Sequence, residues 1–138
     1  MTFGNLFTLF TGLKTKHKKT LAKRYGLNVP VFGSWLKTLN QVRNLCAHHA
    51  RIWNRVYGIQ AIIPSRQPNN IWTAPVLITG NQTFGVLTIL QFLMQQVAPQ
   101  SNWSKRLITL FNDHPRISLN CMGFPDNWIE SPVWNDLP

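Results

Sequence analysis

The chain has 138 residues, 44% of them hydrophobic, which is enough to bury one core without disulfides or a structural metal and too apolar for a disordered segment. Fourteen Lys and Arg oppose four acids for a net charge of +10, and the acids, Asp113, Asp126, Glu130 and Asp136, all lie in the last 26 residues. Paired-carboxylate hydrolysis and two-metal phosphodiester cleavage need several converging carboxylates, so the acid-free first 112 residues exclude both, while the charge points to a nucleic-acid partner before a membrane.

From the N-terminus, Phe3, Leu6, Phe7, Leu9 and Phe10 predict a helix over 2–13 capped by Thr2. A second helix, 16–25, carries Lys16, His17, Lys18, Lys19, Lys23 and Arg24 after Lys14, and Gly26 ends it. Asn28 or Pro30 opens a long third helix, 30–57, with Gly58 beyond it. Residues 58–80 hold Pro64, Pro68, Pro75 and Gly80 and read as an ordered, irregular connection whose length implies a packing or binding role. Asn81 caps a helix over 81–97, Pro99 breaks it, and Ser101 caps another over 101–112. The tail from Pro115 places Phe124, Trp128 and Trp134 among prolines, as an irregular aromatic strap around the body.

With no convincing strand pattern and no internal repeat, these elements predict a single all-α domain, a helical bundle over 1–138. The longest apolar run, Phe84–Met94, is interrupted by Thr88 and Gln91 and falls short of the ~20 residues of a membrane span. Cys46 and Cys121 make no disulfide framework and no secretory signal is apparent, so a cytoplasmic location is expected.

The densest chemistry lies at 43–55, Arg-Asn-Leu-Cys-Ala-His-His-Ala-Arg-Ile-Trp-Asn-Arg. Arg43 and His48 stand in an Arg-x4-His spacing with an amide, Asn44, directly after the arginine. Continued as helix at roughly 100° per residue, Trp35, Leu39, Val42, Cys46, His49, Trp53 and Val56 form one apolar stripe, and Asn44, His48, Arg51 and Arg55 share the opposite face. On that geometry Cys46, His49 and Trp53 are structural, and His48 stands among cations where it can exchange a proton. Arg43 and His48 lie about 140° apart on the helix, so they meet only if the arginine swings round or if two copies of the helix face each other across a groove.

That thirteen-residue block resembles the Abi-like (abortive-infection) family, part of the HEPN group of helical ribonuclease-type domains. Phe3-Gly4, Leu21-Ala22-Lys23-Arg24-Tyr25-Gly26, Ser34-Trp35-Leu36 and Leu39-Asn40 resemble the segments that precede the block in that family. Ser101-Asn102-Trp103, Met122-Gly123-Phe124-Pro125 and Trp128 resemble its C-terminal end. Family members usually carry a further N-terminal region, so the resemblance implies that the chain corresponds to the C-terminal portion of an Abi-like protein. The resemblance implies a HEPN-like bundle, a homodimer with a composite site, and antiphage or toxin-like growth arrest.

Read with the resemblance, Arg43, Asn44 and His48 are the expected catalytic residues of a metal-independent endoribonuclease needing no cofactor. Arg51, Arg55, Lys16, Lys18, Lys19, Lys23 and Arg24 are the expected RNA and phosphate contacts. Two other readings stand beside this one. One is a non-catalytic RNA-binding or protein-interaction module that uses the Lys14–Arg24 cluster and exposed aromatics. The other is a metal site from Cys46, His49, His114 and Cys121, in which Cys46 and His49 share a helix face but His114 and Cys121 lack a usual ligand spacing.

Overall fold

The structure is a computed structural model that describes residues 1–65 and 70–135. Pro68 and Asp136 fall outside the described residues. Five helices dominate the chain: α1 (Phe3–Gly12), α2 (Thr15–Arg24), α3 (Val29–Ala47), α4 (Thr83–Val97) and α5 (Trp103–Asp113). The tail adds 3-10 turns at Asn120–Met122 and Trp128–Glu130 and a short helix, α6 (Pro132–Asn135). The only β-type pairing among the described residues is an isolated antiparallel bridge between Val56 and Gln82. The fold is all-α, and none of the described helices is long and apolar enough to cross a membrane.

Local chemistry starts α1 and α3 where the sequence expects. Thr2 accepts a hydrogen bond from the Asn5 amide (3.2 Å), and Asn28 accepts one from Val31 (2.9 Å) with Pro30 in the first turn. Gly26, at φ 67°, follows the C-cap of α2 in the left-handed conformation that glycine adopts without strain. Two starts differ by a residue: Gln82 rather than Asn81 precedes α4, and Asn102 precedes α5 while Ser101 Oγ accepts from the Trp103 amide (3.4 Å).

The large departure is α3, which stops at Ala47 instead of running to Tyr57. Its end is a Schellman turn: Ala50 N–H donates to Leu45 O (2.9 Å), His49 N–H donates to Cys46 O (3.1 Å), and His49 sits at φ 55°. Sequence gives little warning, because the left-handed position is occupied by histidine and not by glycine or asparagine. Tertiary contacts hold the chain that follows. Thr83 Oγ1 donates to Ile52 O (2.6 Å), Tyr57 N–H donates to Asn81 O (2.7 Å), and Ala61 N–H donates to Gly80 O (3.0 Å). Segments 52–61 and 80–83 thus lie back to back. A β-carbon at Gly80 would run into the Ala61 carbonyl, so that close approach requires glycine.

Helix α3 also joins two cores. Val31 and Trp35 face a large cluster with Trp72, Ile89, Phe124 and Trp134, while Phe32 and Leu36 face a smaller one with Phe10 and Ala22. Trp35 is fully buried, packs edge-on against Trp72 and Phe92, and donates its indole N–H to Ile62 O (2.8 Å). The aromatic tail does more than wrap the surface. Phe84, Phe124, Trp128 and Trp134 form a continuous run of ring contacts 4.7–5.3 Å apart through the main core.

Candidate functional site

Burial along α3 is confined to its first half: Val31, Phe32, Trp35, Leu36 and Thr38 are buried, and no residue between Leu39 and Ala50 is. The helix is therefore anchored at its N-terminal end and carries the polar block on a C-terminal end that reaches solvent. Lys37, Gln41, Asn44 and His48 follow one another at steps of four, three and four, which places them on one helix face. They line a shallow groove of about 360 Å³ whose other walls come from Phe7 of α1, Asn40 and Leu45 of α3, and Ile59.

His48 is exposed at the C-cap of α3, one turn from Asn44. Arg43 does not line the groove, but its guanidinium donates to Asn44 Oδ1 (3.2 Å) and so is turned toward the His48 face. Two groove amide oxygens, Asn40 Oδ1 and Gln41 Oε1, are buried and accept no hydrogen bond from the described residues.

Beyond the helix end, Arg51 and Arg55 line a second concavity of about 280 Å³ with Trp53 and Asn54. They are not on a helical face with Asn44 and His48, because the helix ends first. The expected stripe holds at Trp35 and Leu39, which pack on the main core, and fails from Cys46 onward. Cys46 and His49 are exposed, Trp53 is 40% exposed and Val56 is 65% exposed, so none of the residues assigned a structural role fills a core seam. Tyr57 takes that position instead: it is buried, and its hydroxyl bonds Thr83 Oγ1 (3.2 Å), whose own proton goes to Ile52 O. Burial pushes the Tyr57 phenol above its ordinary range. Among the described residues no three His, Cys, Asp or Glu side chains converge, so Cys46, His49, His114 and Cys121 form no ligand set.

On α2, Lys16, Lys19, Lys23 and Arg24 are exposed, and Lys18 is half-buried with its Nζ 6.0 Å from the centre of the Phe10 ring. The sequence reading missed Lys37 and Gln41, although their steps to Asn44 and His48 are the signal that identifies them. Electrostatically, every charge in the groove is positive or absent. The C-terminal end of α3 adds about half a negative charge of its own, so an anion here must be held by Lys37, Arg43 and the arginines beyond the helix.

The comparisons with known proteins agree with this part of the chain. No curated protein and no solved structure matches it. The family described as Abi-like protein matches residues 1–54, which takes in α1, α2, α3 and the polar block up to Asn54; Ser101–Trp103 and Met122–Pro125 lie outside the match. The scaffold that presents Arg43, Asn44 and His48 is therefore the matched part, and over residues 1–54 the chain is similar to the Abi-like protein family.

Proposed function

We propose that this protein is a metal-independent endoribonuclease of the HEPN type, acting in abortive infection or toxin-like growth arrest. The observation that carries the reading is the exposed groove in which His48 stands one turn from Asn44, with the Arg43 guanidinium held on the Asn44 amide. RNA supplies its own nucleophile. The ribose 2′-hydroxyl attacks the adjacent phosphorus and His48 takes its proton, while the 5′-oxygen departs and is protonated to a hydroxyl, leaving a 2′,3′-cyclic phosphate. Arg43 binds the phosphate oxygens and stabilises the charge that develops on them, and Asn44 orients the arginine. Lys37 extends the cationic wall, and Arg51 and Arg55 lead the strand away past Trp53. Two copies facing through the α3 ends would pool Arg43 and His48 in one composite site.

The decisive experiment incubates the purified protein with mixed RNAs in EDTA, beside His48→Ala, and maps the new ends. Cyclic-phosphate and 5′-hydroxyl ends are expected with wild type, and a loss of about 10²–10⁴-fold in the variant. Cleavage that survives His48→Ala, or that acts on DNA, overturns the mechanism.

A second reading, RNA binding without cleavage, draws on a different observation: Trp53, half-exposed between Arg51 and Arg55, can stack a base while the arginines hold phosphates. It predicts salt-sensitive binding unchanged by His48→Ala, with no product.

A further inference from the structure

We infer that an apolar groove on the face formed by α1, α2, α3 and α4 is the docking site for a helix of a partner protein, apolar on one face and acidic along its edges. The groove is independent of the proposed catalytic reading and shares no residue with the His48 groove. It encloses about 490 Å³, and its walls are almost wholly hydrophobic. Phe10 and Leu36 form its buried floor, while Leu9 and Val97 stand 56% and 65% exposed on its rims and Leu21 is 40% exposed between them. Apolar side chains that large, gathered from four helices into one concavity, mark a surface built to be covered. Leu6 and Leu9 on one wall and Leu90, Leu93 and Val97 on the other repeat at helical spacing, which suits the i, i+3, i+7 side chains of a helix laid between them.

Charge decides what kind of helix fits. On α2, Lys14, His17, Lys18 and Arg24 stand seven, four and three residues before and three residues after Leu21, so they flank the same edge of the groove. Lys18 reaches over Phe10 on the groove floor. No carboxylate occurs before Asp113, so this rim carries uncompensated positive charge, and an occupant with Glu or Asp along its edges would supply it. The same charge disfavours a second copy of this chain, whose α2 cations would meet these. A bilayer is disfavoured by shape, because the apolar surface is recessed between helices. Docking would leave Lys16, Lys19 and Lys23, on the opposite face of α2, open to solvent.

The test uses the whole chain and two fluorescent peptides of about 18 residues, long enough to fold on a groove, with identical Leu and Phe anchors and either Glu or Lys on the flanks. The Glu peptide is expected to bind, with affinity falling as salt rises, and the Lys peptide is not. Leu9→Ser with Val97→Ser, or Lys14→Glu with Arg24→Glu, should each weaken binding about tenfold or more while the circular dichroism spectrum stays unchanged. Equal binding of both peptides, no binding of either, a self-associated wild type dispersed by Leu9→Ser, or preferential binding to anionic phosphatidylserine vesicles would each overturn the inference.

Discussion

At the scale of single residues, the most consequential side chain is His49, because it occupies the left-handed position that stops α3. A β-branched or bulky residue is strained there, and histidine bears part of that cost. His49→Gly should raise stability by about 0.5–1 kcal/mol, read as a higher midpoint in chemical or thermal unfolding, with cleavage unaffected if His49 plays no chemical part. Tyr57 provides a pH-dependent counterpart. Its folded-state phenol is held above the ordinary range by burial, so the folded state keeps a proton that the unfolded state releases. The stability this lends is complete below the ordinary tyrosine range and is lost as pH rises through the raised value. Tyrosinate absorbance should therefore show a step above the ordinary tyrosine range that coincides with unfolding, and Tyr57→Phe should abolish it. Thr88 is a third such residue: it accepts from the Trp134 indole (3.0 Å) and donates to Phe84 O (2.8 Å) inside the core. Thr88→Val keeps the shape but orphans a buried N–H, an expected loss of about 1–3 kcal/mol in denaturant unfolding.

At the scale of elements, α2 is held by little besides Ala22 and the half-buried Tyr25, and it carries like charges at Lys16–Lys19 and Lys19–Lys23. No acid occupies its first turn, although the positive end of the helix dipole favours one there. Lys16→Glu supplies that acid and an i, i+3 partner for Lys19. It is expected to stabilise the fold by about 0.3–1 kcal/mol while weakening RNA binding and lowering the salt slope of log K by roughly 0.7. Raised stability with RNA affinity unchanged at every salt concentration would show that this face of α2 does not touch RNA. Helix α3 divides differently. Its first half is fixed between two cores, and its second half presents the polar block, so a rigid anchor sets the position of a solvent-exposed end.

At the scale of the whole molecule, the two cores meet along the first half of α3, where Val31 and Trp35 serve one and Phe32 and Leu36 the other, and at Leu27, which packs against both. Trp35→Ala should cost about 3–5 kcal/mol and loosen both, because it removes the ring that closes the larger core beside the helix. A composite site between two copies has its own signature. Arg43→Ala and His48→Ala, each inactive alone, should regain part of the wild-type rate when mixed, since one mixed dimer holds one intact Arg43–His48 combination; activity that never returns on mixing would place the whole site within one chain.

The sequence was sufficient for the helical class, the starts of α1 and α3 at Thr2 and Asn28, the end of α2 at Gly26, and the one-turn pairing of Asn44 with His48. Those features depend on neighbours within about one helical turn, through caps, φ preferences and the 3.6-residue repeat. Where α3 ends was settled only in three dimensions. The apolar spacing continues through Trp53 and Val56, yet the partners that draw residues 52–61 out of the helix, Gly80, Asn81, Gln82 and Thr83, lie roughly 20 to 30 positions further along. Local periodicity cannot register a contact of that separation, and the early helix end left His49 and Trp53 at the surface instead of on the expected seam.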